Sequence, residues 1–340
     1  MKENRILVCK QPGELDYSTI AQGETKEGHS LLKIRRIGIC GTDLHAFGGT
    51  QPYFSYPRVL GHELAAEVVE SSDPANFKAG DLVTIMPYLS CGDCLACRNG
   101  KTNCCAKMQV FGVHRDGGMA EYLEVPTWLL VKSEGLSLDE LALIEPLAIG
   151  AHGIRRAAVS SGEFVLVIGA GPIGLGTMEF ARIAGAKVIA LDVNASRLDF
   201  CRNNLKVDYL INAANEDVEA RLLEITSGDM PQVVIDATGN LKAINAAFSY
   251  VAHGGRFVLI GLQKGEICFS HPEFHKREAT LMSSRNATTA DFKQVISAIK
   301  SKLIEPTQYI THRSAFEKVA TEFKTWLEPE QGIIKAMIYL

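Results

Sequence analysis

The stretch Phe164–Gly176, FVLVIGAGPIGLG, decides the fold of the second half of the chain. An apolar run of strand length is followed by Gly169, Gly171 and Gly174 and then by a helical pattern. The first glycine permits a tight turn, the second lets a pyrophosphate approach the backbone, and the third allows close helix–strand packing. A glycine-rich turn between a strand and a helix therefore predicts a dinucleotide site.

The residues around this turn indicate NAD in preference to NADP. Pro172 and Ile173 fall in the first helical turn, where the missing N–H of proline costs nothing. The next strand ends at Asp192, whose carboxylate can accept hydrogen bonds from the ribose hydroxyls and would repel a 2′-phosphate. Arg197 is an argument for NADP as the cofactor, because a nearby arginine can accommodate that phosphate. Thr238, after a later apolar run, is a further candidate for cofactor binding.

Periodicity divides the chain into a β-rich part and an α/β part. Strand-length apolar runs alternate with helical segments from Phe164 to Ile260, which predicts a doubly wound parallel sheet. Short runs broken by Gly, Pro and Asp predict a β-rich lobe before it. We expect a Rossmann domain over 148–283 and a second, β-rich domain over 1–147 together with 284–340.

Composition describes an ordinary globular protein without a nucleic-acid or membrane partner. The chain has 340 residues, of which 46% are hydrophobic and 22% charged, and a net charge of −4. The charges are spread without a long basic run, and the sequence contains neither a signal-peptide core nor an apolar stretch of bilayer length. We therefore expect a cytoplasmic protein.

Four cysteines in a short stretch predict a structural zinc site. Cys91, Cys94, Cys97 and Cys105 follow the spacing C-x2-C-x2-C-x7-C. Four thiolates close the tetrahedral shell of Zn²⁺ and leave no position for a substrate, so this ion would stabilise a lobe. Reduced thiols or a disulfide pair are the alternative reading. Cys104 lies one residue short of the spacing that Cys105 completes.

A second group of residues has the composition of an open, catalytic zinc site. Cysteine, histidine and carboxylate ligands that leave one position free allow Zn²⁺ to act as a Lewis acid on an alcohol or carbonyl. The group comes from GICGTDLH (Cys40, Thr42, Asp43 and His45), GHE (His62 and Glu63) and LIEPLAIGAH (Glu145).

These motifs, taken in order with the cysteine lobe, GAGPIG and Asp192, resemble the zinc-dependent medium-chain dehydrogenase/reductase family over nearly the whole chain. The third residue of GHE and LIEPLAIGAHGIRRA are similar to its sorbitol and threonine dehydrogenase branch. The resemblance implies a GroES-like catalytic domain, two zinc ions per chain, NAD, and a homodimer or homotetramer. It also implies that Cys40, His62 and one or both of Glu63 and Glu145 bind the catalytic zinc.

The same resemblance assigns roles around the catalytic zinc. Asp43 would accept a hydrogen bond from the His62 ring and fix its tautomer. Hydride transfer requires that the substrate hydroxyl lose a proton, for which Thr42 is the expected acceptor. His45 would pass that proton to solvent, although it can also be an ordinary surface histidine.

The substrate is expected to be a sugar acid or a polyol. GGTQPYFSYPRVLGHE, FGVHRDGGMAEYL and HPEFHKREATLMSSRNAT are similar to segments of bacterial sugar-acid dehydrogenases, which implies oxidation of a secondary alcohol on an aldonic acid. Polyol or L-threonine oxidation remains open, as do a non-catalytic zinc- and NAD-binding regulator and a zinc-free quinone-reductase relative. The candidates for substrate binding are Arg58, Arg115, Lys276 and Arg285 for a carboxylate, Ser284, Asn286 and His275 for hydroxyls, and Phe47, Tyr53 and Phe54 for an apolar wall.

Overall fold

The computed structural model describes residues 3–22 and 24–340. Over these residues the chain separates into two compact units, 1–145 with 288–340, and 146–287. The domain limits predicted from the sequence differ from these bounds by two residues at the first junction (147 against 145) and by four at the second (283 against 287).

The first unit begins with short strands separated by turns. Its elements up to the unit boundary are β1 Glu3–Gln11, β2 Glu14–Ala21, β3 His29–Gly38, α1 Gly41–Phe47, β4 Arg58–Val59, β5 Glu63–Ser71, β6 Leu82–Ile85, β7 Tyr88–Leu89, α2 Leu95–Arg98, β8 Gln109–Val110, β9 Tyr122–Pro126, β10 Leu130–Lys132 and α3 Leu138–Ala157. Helix α3 contains the division between the units.

The second unit alternates strands and helices. Its elements are β11 Phe164–Ile168, α4 Pro172–Ile183, β12 Lys187–Asp192, α5 Ala195–Asn203, β13 Tyr209–Asn212, α6 Val218–Ile225, β14 Val233–Asp236, α7 Leu241–Ala247, β15 Arg256–Leu259, α8 His271–Lys276 and β16 Thr280–Ser283.

The chain then returns to the first unit. The last elements are α9 Thr289–Lys300, β17 Ile310–Ala315, α10 Val319–Glu322 and β18 Lys335–Tyr339. Short 3₁₀ helices occupy Thr102–Cys104, Thr127–Leu129, Phe248–Tyr250, Pro306–Tyr309, Phe316–Lys318, Phe323–Leu327 and Pro329–Gln331.

Strand β3 is central to the main sheet of the first unit. The strand order is β10-β6-β5-β3-β18-β17, and β9 also pairs with β3. Strands β5 and β18 both run antiparallel to β3, so the C-terminal strand lies beside a strand from the start of the chain. Apolar side chains of these strands, such as Leu32, Ile34 and Met337, are fully buried. The sheet therefore brings the ends of β3, β5 and β18 close together.

The second unit is built on a parallel sheet of order β13-β12-β11-β14-β15-β16. A helix follows each of the strands β11 to β15, because a parallel connection needs a crossover. Fully buried side chains such as Leu166, Ile189, Val234 and Phe257 fill the core. The sheet order reverses between β12 and β14 on either side of β11, which places the glycine turn at the switch point where such sheets bind ligands.

The predicted fold class, a GroES-like β-rich domain with a Rossmann domain, is confirmed by this architecture and by the family matches given below. Within the described residues, none of the helices combines the length and the apolar character needed to cross a membrane.

Candidate functional site

The four cysteines of the predicted structural zinc site lie together. Their sulfur atoms are all within 4.8 Å of one another. Sγ–Sγ distances are 3.4 Å between Cys94 and Cys97, 3.5 Å between Cys105 and Cys91, and 4.0 Å between Cys91 and Cys97. A tetrahedron with Zn–S bonds of about 2.3 Å has edges of about 3.8 Å. The four sulfurs therefore fit a zinc ion, and Cys104 is exposed beside them.

Backbone N–H groups prepare these sulfurs for a cation. The N–H groups of Ala106 and Cys97 lower the pKa of the Cys94 thiol to about 6. The N–H groups of Cys91 and Lys107 each donate to the Cys105 sulfur at 3.3 Å. Short turns supply these donors, because Gly92 and Gly100 take positive φ values of 75° and 70°. The backbone thus favours the thiolates of Cys94 and Cys105, whereas a hydrogen bond with Asp93 raises the pKa of Cys91 and burial raises that of Cys97.

Cys40 and Asp43 are held by the start of α1. Cys40 is the N-cap residue of this helix, and its backbone N–H donates to Asp43 Oδ2 at 2.9 Å. The other oxygen of Asp43 accepts from the Gly61 N–H at 3.1 Å. Burial raises the pKa of Asp43, and the charge of His62 and these N–H groups oppose the rise. Asp43 therefore joins the segment that carries Cys40 to the segment that carries His62.

The predicted hydrogen bond between Asp43 and the His62 ring is not formed. His62 Nδ1 lies 3.7 Å from Asp43 Oδ1, which is an ion-pair distance and too long for a hydrogen bond. Within the described residues this buried Nδ1 has no hydrogen-bond partner. Two backbone N–H groups, those of Cys40 and Gly61, hold the Asp43 carboxylate in this position.

His62 and Glu145 are buried and Cys40 is half-buried, and the charge of each of the other two affects the pKa of His62. Burial lowers the pKa of His62, but the charge of Asp43 and a hydrogen bond with the Cys40 side chain outweigh it and hold the pKa well above its usual value. Glu145 is 3% exposed, and burial raises its pKa to about 7. The Tyr88 hydroxyl donates to Glu145 Oε1. A sulfur, an imidazole and a carboxylate are the donor types of catalytic zinc sites, so the chemistry of these three residues suits the ion.

Glu63, the other predicted carboxylate ligand, forms an ion pair with Lys335. Both of its oxygens accept hydrogen bonds from Lys335 Nζ at 2.6 Å, and both side chains are almost fully buried. Lys335 Nζ also donates to the Ile39 carbonyl at 2.9 Å. Glu63 and Glu145 therefore have different environments: one is paired with a cation and the other accepts from a phenol.

The two residues of the predicted proton relay lie three positions apart on α1. Thr42 is half-buried and His45 is exposed. His45 Nδ1 lies 2.8 Å from Thr50 Oγ1, a contact that orients the ring. A relay from Thr42 through His45 stays a prediction, and its geometry is compatible with an exit to solvent at His45.

The glycine turn leaves open space where a dinucleotide is expected. Gly169 has a φ of +100°, which favours glycine, and a Cβ at position 174 would lie 1.8 Å from the Gly169 carbonyl oxygen. By contrast, a Cβ at Gly171 would have no atom within 4 Å. Gly171 is also the N-cap of α4, where Pro172 and Ile173 follow in the first turn. The turn thus presents a helix N-terminus and an open backbone, which suit a pyrophosphate.

Asp192 holds the loops on both sides of the nucleotide turn. One oxygen accepts from the Ala170 N–H at 2.6 Å and the other from the Asn194 N–H at 2.8 Å. Asn194 caps α5 by accepting from the Arg197 N–H. A carboxylate can accept about four hydrogen bonds, so Asp192 keeps capacity for ribose hydroxyls.

Thr238 lies against the same turn. Its Oγ1 donates to Asp236 Oδ1 at 2.5 Å, and its methyl group would lie 2.6 Å from a Cβ at Gly169. Asp236, fully buried at the end of β14, also accepts from the Gly239 N–H at 3.0 Å. Thr238 is therefore fixed beside the glycine turn, and its contact with the cofactor stays a prediction.

The candidates for substrate binding have different environments. Arg58 donates to Asp116 and Ser55 at 3.2 Å, so its guanidinium already supports a loop. Lys276 pairs with Glu273 at 3.2 Å, and His275 lies against His271. The remaining polar candidates comprise the exposed Arg115 and Arg285, the half-buried Asn286, and Ser284, whose buried Oγ has no partner within the described residues.

The three aromatic candidates differ in their exposure to solvent. Phe47 is buried against Phe323, with ring centroids 5.1 Å apart, so it belongs to the core. Phe54 packs on Tyr56 at 4.7 Å, whereas Tyr53 is 60% exposed. Of the three, Tyr53 alone presents most of its ring to solvent.

Comparisons with known proteins define the class. Residues 26–135 match the alcohol dehydrogenase GroES-like domain, and residues 172–301 match the zinc-binding dehydrogenase model. The chain belongs to the zinc-type medium-chain alcohol dehydrogenase family. It is an oxidoreductase, and its cofactors are zinc and NAD, as predicted from the sequence.

Individual relatives are similar over most of their length. The L-galactonate-5-dehydrogenase of Escherichia coli K12 is 44% identical over 339 residues, 99% of each chain. The L-arabinitol 4-dehydrogenase of Hypocrea jecorina is 32% identical over 326 residues, 93% of this chain and 86% of that protein. A solved alcohol dehydrogenase from Escherichia coli CFT073, complexed with NADH, superposes with a TM-score of 0.93 at 28% identity and covers 100% of both chains.

Sequence reasoning missed Lys335 and Tyr88. Lys335 begins an apolar C-terminal strand, where a charged residue is unexpected unless it is paired. That contrast is the signal that could have identified it. Tyr88 carries no comparable signal, because only the fold brings it to Glu145.

Proposed function

We propose that this protein oxidises the secondary alcohol at C5 of L-galactonate to the ketone of D-tagaturonate with NAD. The observation that carries the proposal is the 44% identity with L-galactonate-5-dehydrogenase along 99% of both chains. In this reaction the carbon that bears the hydroxyl gives a hydride to the nicotinamide, and the hydroxyl proton is released to solvent.

The donor atoms suit the requirements of this chemistry. Cys40, His62 and Glu145 would hold the catalytic zinc, and Cys91, Cys94, Cys97 and Cys105 the structural zinc. When bound, the catalytic ion lowers the pKa of an alcohol oxygen and stabilises the developing alkoxide. Thr42 would accept the hydroxyl proton, and His45, at the exposed end of the pair, would release it.

The nucleotide-binding unit would supply the hydride acceptor. Gly169, Gly171 and Gly174 leave room for the pyrophosphate, and Asp192 is placed to accept from the adenosine ribose. A carboxylate at this position disfavours a 2′-phosphate, which supports NAD. A clear preference for NADP in initial-rate measurements with both cofactors would contradict this role of Asp192.

Oxidation of a polyol is the second candidate, because the relative from Hypocrea jecorina that is 32% identical is an L-arabinitol dehydrogenase. The two candidates differ in whether the pocket requires a carboxylate on the substrate. Sugar acids demand a cationic or hydrogen-bonding partner that a polyol does not use.

A substrate panel tests the proposal. The purified protein is supplied with NAD and with L-galactonate, sorbitol, L-arabinitol or L-threonine, and NADH formation is followed. We expect the largest kcat/KM for L-galactonate. Faster oxidation of a polyol or of L-threonine would overturn the assignment, and no turnover on any alcohol would favour a non-catalytic regulator. The Cys40→Ser variant is the control, since it should fold and yet show no turnover.

A further inference from the structure

Tyr88 lies at the base of the loop that carries the four cysteines. It begins β7, which pairs antiparallel with β8 over two residues on each side. The Phe111 N–H donates to the Pro87 carbonyl at 3.1 Å and extends this pairing. All four cysteines fall between the two strands, so the pairing forms the neck of the cysteine loop.

The strands of this neck are too short to hold it closed by themselves, because even longer isolated hairpins are only marginally stable in water. Cys91 follows β7 by two residues, and Cys105 precedes β8 by four. Their sulfur atoms are 3.5 Å apart, and the Cys91 N–H donates to the Cys105 sulfur at 3.3 Å. A metal ion bound by both sulfurs would therefore join the two sides of the neck just beyond the strands.

The Tyr88 side chain connects the neck to α3. Its hydroxyl donates to Oε1 of Glu145, which lies in α3, 57 residues further along the chain. Both side chains are buried, with exposed fractions of 5% and 3%. A phenol has one hydrogen to donate, so this bond fixes Oε1, and Oε2 takes no part in it. The neck therefore holds one oxygen of the carboxylate and leaves the other for a cation.

We propose that Tyr88 is a positioning residue that couples the two zinc sites: the four-cysteine cluster closes the neck, the neck places the phenol, and the phenol orients the Glu145 carboxylate toward the catalytic zinc. The inference rests on the proposed function only in taking Glu145 as a zinc donor, and it does not depend on the substrate. The four-cysteine site then acts on the chemistry through one hydrogen bond, in addition to stabilising its own loop.

A buried tyrosine can also serve packing alone. Tyr88→Phe removes the hydroxyl and keeps the ring, so a packing role predicts unchanged metal binding. Removal of a partner that orients a metal ligand, in contrast, changes metal affinity by about 10–100-fold. Metal affinity therefore separates the positioning role from the packing role, which Tm alone does not.

Competition with a chelator is the test. Wild type, Tyr88→Phe and the control Tyr17→Phe are loaded with Co²⁺ and titrated with the chelator, and visible absorption and Tm are measured. The number of bound sulfurs sets the position and strength of the Co²⁺ bands, so the four-thiolate site and the site of Cys40 are followed separately. Tyr17 donates to the Phe316 carbonyl in the same unit, and neither of these two residues adjoins a zinc donor in the sequence.

The hydroxyl of Tyr88 should matter at one metal site only. We expect Tyr88→Phe to hold the catalytic metal about 10–100-fold more weakly, while the four-cysteine metal is unaffected and Tyr17→Phe resembles wild type at both sites. If Tyr88→Phe holds the catalytic metal as tightly as wild type, the inference is wrong.

A double-mutant cycle tests the link to the cysteine loop. Cys94→Ser should open the neck and weaken the catalytic metal, whereas Cys104→Ser, at an exposed thiol, should not. Because the phenol of Cys94→Ser no longer holds Glu145, adding Tyr88→Phe should cause less than about a twofold further loss. Effects that multiply in the double variant would show two independent roles and refute the coupling. If Cys94→Ser does not fold, Cys94→His, which keeps four zinc donors in an altered geometry, takes its place in the cycle.

Glu145→Gln distinguishes failure of this inference from failure of the proposed donor set. Weaker binding of the catalytic metal by Glu145→Gln, with no change in Tyr88→Phe, would refute the role of Tyr88 alone. Unchanged binding in both variants would remove Glu145 from the zinc donors and refute the proposed donor set as well.

Discussion

Two glycines of the nucleotide turn should respond differently to the same substitution. A Cβ at Gly171 would meet no atom within 4 Å, and its φ of −81° and ψ of 179° suit alanine. A Cβ at Gly174 would lie 1.8 Å from the Gly169 carbonyl oxygen. Gly171→Ala therefore adds a methyl group to the space expected for the pyrophosphate, whereas Gly174→Ala adds one inside the fold.

The geometry gives the size of each effect. Gly171→Ala lowers the conformational entropy of the unfolded chain, which stabilises the fold, but alanine is a poorer N-cap than glycine. These two effects nearly cancel, so we expect the free energy of unfolding to change by less than about 1 kcal/mol. Gly174→Ala forces the turn and helix apart and should destabilise by about 2 kcal/mol or more, roughly 4–8 °C in Tm. The methyl group at 171 should weaken NAD binding at least about tenfold, which corresponds to about 1.4 kcal/mol.

Two measurements separate these outcomes. Thermal unfolding without cofactor gives Tm, and quenching of intrinsic fluorescence on titration gives the Kd for NADH. Gly171→Ala should keep the wild-type Tm and bind NADH weakly, while Gly174→Ala should lose Tm. The reasoning fails if Gly171→Ala binds NADH as tightly as wild type, because the open space would then not be the pyrophosphate site.

Three further predictions concern the four-cysteine zinc site, the proton relay from Thr42, and the ion pairs of Asp139 in α3. Cys94→Ser should lose one zinc ion per chain and lower Tm, whereas Cys104→Ser, at an exposed thiol, should do neither; equal zinc contents would argue against the assigned cluster. Thr42→Ala should reduce kcat by about 10²–10⁴-fold with the Kd for NADH unchanged, and Thr42→Ser should retain activity; near-normal turnover of Thr42→Ala would exclude the relay. Asp139 accepts from Arg36 at 2.7 Å and Arg313 at 2.6 Å, and although burial raises the pKa of its carboxyl, these bonds lower it overall. Because the folded pKa is the lower one, Asp139 should stabilise above the unfolded pKa of about 3.9 and lose this effect as the pH falls through the folded pKa. Urea unfolding should therefore show Asp139→Asn less stable by about 1 kcal/mol at pH 7 and the difference fading below about pH 4, whereas a constant difference would contradict the assignment.

Sequence alone identified the elements whose information is local. The glycine turn between β11 and α4 was recognised because the need for each glycine arises from backbone geometry within a few residues of it. The cysteine cluster was recognised for the same reason, since its turns bring the sulfurs together. Helix α5, Ala195–Asn203, lies in the stretch from Phe164 to Ile260 over which helical segments were predicted.

Short elements at the border of the parallel sheet escaped prediction. Strands β13 and β16 lie at the edges of the sheet and are only partly buried, so they lack the fully buried apolar run of a central strand such as β14. Helix α6 follows β13 and was missed with it, although Asp217 caps it by accepting from the Ala220 N–H. These elements take their structure from neighbours in the sheet.

Tertiary structure alone decided what surrounds the catalytic donors. The sequence named Cys40, His62, Glu63 and Glu145 but left open which carboxylate binds zinc. Lys335 lies 272 residues from Glu63 along the chain, and only the pairing of β18 with β3 brings them into contact. Local spacing in the sequence does not indicate such a pair. Its two charges can be buried only when they neutralise each other, and they meet only when the distant strands assemble into the sheet. The residue types in the site were thus determined by the sequence, and the separate environments of the two glutamates by the fold.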